Sequence, residues 1–487
     1  MCPGISAFPG GMWVVEGFPG MEATMILSDV FQRFAEDSPV CVMVQALMEN
    51  ALSPTTVDLL FERHAELQYT RDLLFSDIVN LMSLVVCGIR PSINSAFKKM
   101  APVLGVTKKA VYDKIDRVET TTSAALVRHS ASALGAIIDE LGSRKESWLE
   151  GYRVKILDGS HLPGTEHRIK PLRFTRAGAL PGHGLVVLDP QRMLISDVVL
   201  CEDGHAQERS MTEAILEMVL PGDLWIKDRN FCTTAFLFGI AKRGGKFVTR
   251  QHASTLTWEP VGKRVSKGRC ETGDVFEQTV RLSNDEGEIL IARRVTVELD
   301  ETTRDGDRTI HILTNLPKEN ANAIKVADLY RKRWTLEIAF QELEASLNGE
   351  INTLGYPKAA LFAFSIALVS YNVLSTVKAA LRSVHGEKVI DTEVSGYDLA
   401  EEVAGTYRGM MIAVPKDEWV VFHGMSPKEI CPFLKQLARA VRLSEFKKQP
   451  RGPKKPRPKR QSGVKSKHVA TAKLLERQMA NPAKNQK

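Results

Sequence analysis

Three acids in this chain of 487 residues stand where a carboxylate does more than keep a surface soluble. Asp158 ends the β-branched run of "VKILDGSHLPGTEHRI", and Asp228 ends "DLWIKD". Glu337 follows Tyr330 and Arg333 in "LYRKRWTLEIAFQELEASLNGEI". Residues at strand carboxyl ends converge on one edge of an α/β sheet, where such folds place their sites, so the two aspartates can meet in space. Each aspartate alone also suits a turn or a helix cap. At about 100° per helical residue, Tyr330, Arg333 and Glu337 share one narrow arc. Leu336, Phe340, Leu343 and Leu347 fill the adjoining apolar arc, and an acid beside such a face needs a partner, either Arg333 or a metal ion.

The elements that must position these residues are legible from periodicity. "YRVKILD", "GLVVLDP" and "MLISDVVL" read as three meandering strands, the last two joined through a turn at Pro190-Gln191-Arg192. "ERSMTEAILEMVL" reads as a helix stopped by Pro221-Gly222, "DLWIKD" as a strand, "TTAFLFGIAKRGG" as a helix and "KFVTR" as a strand. That is an α/β layout with a mixed sheet. From Gln251 to about Leu316 the helical pattern gives way to short strands divided by polar turns, expected as an inserted β-domain. Helices resume at Ala323.

Before Tyr152 the pattern is helical. "APVLGVTKKAVYDKIDRV" reads as a helix-turn-helix, with Gly105 in the turn, Thr107 as N-cap and Lys108, Lys109 and Lys114 on the second helix. Ala359 to Val377 is uncharged and long enough to span a bilayer, but it carries Ser365, Ser370, Asn372 and Ser375. It is read as a helix buried in a large core, with no membrane partner. The expected divisions are a disordered leader (1–24), a helical DNA-binding domain (25–149), an α/β core (150–250 and 317–446), a β-insertion (251–316) and a disordered basic tail (447–487).

Charge is distributed unevenly. From Lys447 to Lys487 there are 14 Lys or Arg against the single acid Glu476, so the rest of a chain of net charge +7 is mildly acidic. A basic tail on an acidic body points to a polyanion such as nucleic acid, or to a solvated arm with no partner. The seven cysteines form no CxxC pair, which fits a reducing cytoplasm and neither a disulfide framework nor a zinc ribbon. His161, His167 and His183 have no fourth ligand at a zinc spacing.

Together "ILDG", "IKDRNF" and "YRKRWTLE" resemble the DDE transposases of bacterial insertion sequences, the group with the Y-x2-R-x3-E-x6-K signature. The resemblance runs from about Tyr152 to Asn372, β-insertion included. It implies a ribonuclease-H-like core in which Asp158, Asp228 and Glu337 bind Mg²⁺, with Mn²⁺ able to substitute, for cleavage and strand transfer on DNA. It implies that Tyr330 and Arg333 hold a DNA phosphate near the cut. It also implies a homodimer on double-stranded DNA, both terminal repeats and target, in the bacterial cytoplasm at the nucleoid. His167, Arg168 and Lys170 follow Asp158 closely and are expected to approach DNA. Trp258 is expected either to stack on an unpaired base or to sit in an edge strand.

One position departs from the signature. Glu344 stands where the group has lysine, and its charge would oppose a phosphate. Lys358 is a candidate to replace that contact. The departure keeps a second reading open, a catalytically inactive DNA-binding relic or regulator.

Overall fold

The computed structural model describes residues 28–68, 72–252, 256–303, 306–449 and 468–480. The expected leader and most of the basic tail lie outside them. The chain divides into two compact units. One comprises Met1–Arg144, Arg176–Gly178 and Glu342–Lys467, and the other Lys145–Thr175, Ala179–Gln341 and His468–Lys487.

The first unit is helical. Its centre is Pro357–His385, which begins on proline and stops at Gly386, whose φ of 89° favours glycine. It is the one helix among the described residues long and apolar enough to cross a membrane, and it is buried inside the protein. Most of its hydroxyls and its asparagine are satisfied internally. Ser365, Ser370 and Thr376 donate to carbonyls one turn back, and Asn372 donates to Ser130 Oγ on Thr120–Glu140 at 3.2 Å. Pro39–Ala51, Phe75–Val86 and Pro427–Ala440 also pack on it. This packing groups the chain after Glu342 with the N-terminal helices, whereas sequence order had grouped it with the α/β core.

Among the described residues the second unit is built on eleven strands: β1 (Arg153–His161), β2 (Gly178–Leu180), β3 (His183–Asp189), β4 (Leu194–Cys201), β5 (Asp223–Lys227), β6 (Lys246–Arg250), β7 (Thr257–Cys270), β8 (Gly273–Ser283), β9 (Ile289–Leu299), β10 (Thr309–Thr314) and β11 (His468–Ala470). Nine form one sheet in the order β4-β3-β1-β5-β6-β10-β9-β8-β7. β1, β5 and β6 are parallel and the other pairs antiparallel. The mixed sheet is consistent with a ribonuclease-H-like domain. The strands expected as a separate β-insertion continue this sheet, because β10 returns to pair with β6. Alternation along a strand identifies its faces, and says nothing about which sheet the strand joins.

Alternation also builds two cores. Leu224 and Ile226 of β5 face one cluster, with Val154, Val326 and Leu329, while Trp225 faces the other, with Leu157, Phe236 and Phe247. The β8–β9 hairpin is tied to the chain entering the helix Ala323–Arg331 by a buried ion pair. Arg293 Nε donates to Glu277 Oε1 at 2.6 Å, and Arg293 Nη1 donates to the carbonyls of Leu316 and Ala321. Both side chains are less than a tenth exposed. Replacing Arg293 with methionine leaves Glu277 buried beside only Lys267, 3.9 Å away. We expect a loss of about 3 kcal/mol or more, read as a lower urea midpoint. Adding Glu277→Leu should recover most of it, and an unchanged midpoint in the single variant would refute the assignment.

Part of the expected tail is folded. β11 pairs with β2, and the helix Thr471–Ala480 follows it. Val469, Leu474 and Leu475 pack on Ile169, Leu172 and Ala179, partners that a compositional reading cannot see.

Candidate active site

The register of the sheet brings the two aspartates together. Ile156 lies opposite Ile226 and Leu157 opposite Lys227 across the parallel β1–β5 pair. Asp158 and Asp228 therefore come next on neighbouring strands spaced about 5 Å apart. Strand parity turns both toward the core face that carries the helix Ala323–Arg331.

That helix ends at Arg331, and a second begins at Trp334. The sequence treated this stretch as one continuous helix, but the break leaves the grouping intact. Tyr330 OH donates to Asp228 Oδ1 at 3.4 Å. Arg333 Nη1 donates to Asp158 Oδ2 at 2.6 Å, and Arg333 Nη2 donates to Glu337 Oε1 at 2.6 Å. The Gly159 N–H donates to Asp158 Oδ1 at 2.9 Å. Asp158, Asp228, Glu337, Tyr330 and Arg333 thus lie together in one hydrogen-bonded group.

Electrostatics explain why arginine sits there. Burial pushes the Asp158 carboxyl up to about 6, assisted by Asp228 and Glu337 and opposed by Arg333 and the Gly159 N–H. Burial disfavours the Arg333 charge, but Asp158, Tyr330, Asp228 and Glu337 outweigh it and push its pKa up. Burial, then Asp228, pushes up the Tyr330 phenol, which stays protonated and able to donate.

Among the described residues no group of three His, Cys, Asp or Glu side chains is gathered tightly enough to cage a metal ion. The three carboxylates are nevertheless oxygen donors of the kind that a hard divalent cation takes. Arg333 supplies the positive charge that their mutual repulsion demands.

The remaining expected site residues are placed as follows. His167, Arg168 and Lys170 lie on the segment after β1, with Arg168 Nε paired to Glu166 at 2.5 Å and Lys170 exposed. Trp258 packs against the core around Phe236 with Arg294 over its ring at 4.8 Å, so the indole already has partners on the protein. In the helical unit, Ile93–Leu104 and Lys108–Ile115 flank Gly105 (φ 63°), and Thr107 Oγ1 accepts from the Ala110 N–H. Lys108 and Lys109 are exposed there. Lys114 is turned inward, donating to the Leu73 carbonyl at 3.0 Å beneath the Phe61 ring, so it does not present its charge to a ligand. His161 and His183 do meet, as a cross-strand pair with ring centroids 4.9 Å apart, but His167 does not join them.

Two residues escaped the sequence reading. Lys227, fully buried one position before Asp228, donates to the Phe231 carbonyl at 2.7 Å under the Phe236 ring, and burial lowers its pKa to about 7. Glu208 lies beside Gly159 and His161. Its helical context gave no signal of a role here.

This sheet edge thus gathers three carboxylates, a phenol and a guanidinium. Residues 149–373, somewhat under half of the chain, match the family model of the transposase DDE domain, which supports a DDE transposase. The match covers all five residues and the strands β7–β10. Such domains use divalent metal ions and DNA substrates. No curated protein matches the chain.

Proposed function

We propose that this protein is a transposase of the insertion-sequence group with the Y-x2-R-x3-E-x6-K signature, from which it departs at Glu344. It binds the terminal repeats of its element, cuts at the 3′ ends and joins them to target DNA. The observation that carries this reading is the meeting of Asp158, Asp228 and Glu337 around Tyr330 and Arg333 at one sheet edge.

Asp158, Asp228 and Glu337 would hold two Mg²⁺, with Mn²⁺ as a substitute. The ions, when bound, activate the attacking oxygen and stabilise the leaving one in an in-line displacement. Asp158 must be deprotonated to serve, and its raised pKa still leaves it ionised at neutral pH. Arg333 presents a planar fork that suits two phosphate oxygens, so it can pass from carboxylates to the DNA backbone. Tyr330 adds a phenolic donor beside Asp228. His167, Arg168 and Lys170 follow Asp158 and approach the same DNA. Lys108 and Lys109 on the second helix of the pair would contact DNA in the helical unit. Joining two ends in one complex calls for a homodimer, and the cytoplasmic nucleoid is where the substrate lies.

Residues 450–467 carry eight Lys or Arg and no acid. Replacing these eight by glutamine should weaken DNA binding without changing the preferred sequence. The slope of log affinity against log salt should become shallower by roughly 0.9 for each phosphate that the variant no longer neutralises. An unchanged slope would remove this segment from the interface.

Glu344 in place of the signature lysine favours a second reading, a DNA-binding protein that no longer cuts. The test is a labelled duplex bearing the terminal repeat, incubated with Mg²⁺ or Mn²⁺. Joined products support the transposase, nicked products alone indicate a nuclease, and tight binding with no cutting moves the assignment to the relic.

A further inference from the structure

Glu208 stands behind the strand that carries Asp158. On β1, Gly159 and His161 point to the sheet face opposite Asp158. A Cβ added at Gly159 would lie 1.9 Å from Glu208 Oε1 and 2.6 Å from its carboxyl carbon. The φ of Gly159 is not positive, so the glycine is required by space and not by backbone conformation. The Glu208 carboxylate therefore sits against Gly159, in the space a side chain there would take.

The same carboxylate reaches two further groups. Oε1 is 3.6 Å from His161 Nε2, and Oε2 accepts from Asn230 Nδ2 at 3.4 Å. Asn230 lies in the turn Arg229–Phe231 that opens directly after Asp228, and Arg209 Nε donates to its carbonyl at 3.1 Å. His161 is steadied in turn by the buried His183 ring. Glu208 and Arg209 thus connect the segment after one aspartate to the segment after the other.

We propose that Glu208 is a positioning residue that fixes the spacing of Asp158 and Asp228 by tying Gly159 and His161 to Asn230. It touches neither carboxylate and acts through the two peptides that bear them. The inference rests on the transposase reading only for the reaction it serves, since the spacing itself is a property of the protein without DNA.

The test uses the full chain and Mn²⁺, with affinity read by calorimetry or electron paramagnetic resonance, alongside cleavage of the terminal-repeat duplex. Groups that orient metal-holding side chains are typically worth about ten- to a hundredfold in affinity or rate. Glu208→Ala should weaken Mn²⁺ binding and slow cutting by about tenfold, with DNA affinity and melting temperature close to wild type. Glu208→Gln should stay near wild type, because its amide oxygen still accepts from His161 and Asn230 can rotate its own amide.

Gly159→Ala separates positioning from mere filling of space. Alone, it should reproduce the defect, because its methyl displaces the carboxylate. In Gly159→Ala/Glu208→Ala the overlap is gone but the tie is not restored, so the defect should persist. Recovery in the double variant, or wild-type Mn²⁺ affinity in Glu208→Ala, overturns the proposal. Should Glu208→Ala not fold, Asn230→Ala removes the far end of the tie and carries the same expectation. A wild type that binds Mn²⁺ through Asp158 but cuts no DNA defeats the transposase reading, while the Mn²⁺ comparison still decides the role of Glu208. A wild type that takes up no Mn²⁺ even with the terminal-repeat duplex bound overturns both.

Discussion

Asp158→Asn should lower metal-dependent cutting of the terminal-repeat duplex by about a thousandfold or more, and should leave the protein folded and bound to DNA. Metal-held charge stabilisation supplies several kcal/mol to such a transition state, and each 1.4 kcal/mol is about tenfold in rate. Binding should survive because, on the proposed reading, phosphate affinity comes from Lys and Arg elsewhere on the chain. The folding half of the expectation follows from linkage. Burial raises the Asp158 pKa to about 6, well above an ordinary carboxylate, so its ionisation opposes folding. That cost is fully present above about pH 6 and is relieved as pH falls toward the unfolded value near 4. An uncharged isostere escapes the cost, so at pH 8 Asp158→Asn should melt no lower than wild type. Undiminished cutting would remove Asp158 from the chemistry. A large fall in melting temperature would show that the missing activity reflects a missing fold.

Arg333→Gln should separate metal uptake from turnover in opposite directions. In the DNA-free protein the guanidinium bridges Asp158 and Glu337 at 2.6 Å each, so a cation entering this site meets a resident positive charge. A unit charge about 4 Å away at an effective dielectric of about 20 weighs about 4 kcal/mol. Removing it should raise Mn²⁺ affinity without DNA by an order of magnitude or more. Cutting should still fall by about a hundredfold, because the variant has no fork to engage phosphate. Arg333→Lys keeps the charge without the fork, so it should restore weak Mn²⁺ binding but little cutting. Equal Mn²⁺ affinities in wild type and Arg333→Gln would mean that the bridge does not guard the carboxylates.

The strands around the site were legible because each is an apolar, β-branched run bounded by turn residues. "DLWIKD" and "KFVTR" fold as β5 and β6. The Tyr330, Arg333 and Glu337 grouping was legible because a period of three to four survives a break at the helix junction. What could not be read depends on tertiary partners. β7 to β9 share a sheet with β1 only through the β6–β10 pairing. Leu474 and Leu475, in a tail that reads as solvated, find Leu172 some three hundred residues earlier. Glu208 was illegible because its role depends on a glycine and an asparagine from two other segments. Lys114 was misread because an exposed and an inward lysine look alike in sequence.

The C-terminal strand and helix have a consequence for partial copies of this chain. They cover Ile169, Leu172 and Ala179, in the stretch that runs on from β1. A product of a frameshift or early stop before His468 would be without more than basic charge. It would expose that apolar patch, leave β2 without its partner strand and remove the Lys473 ion pair to Asp203. The helix Thr471–Ala480 thus acts as a cover for the stretch that follows β1, supplied by a segment some three hundred residues later in the chain.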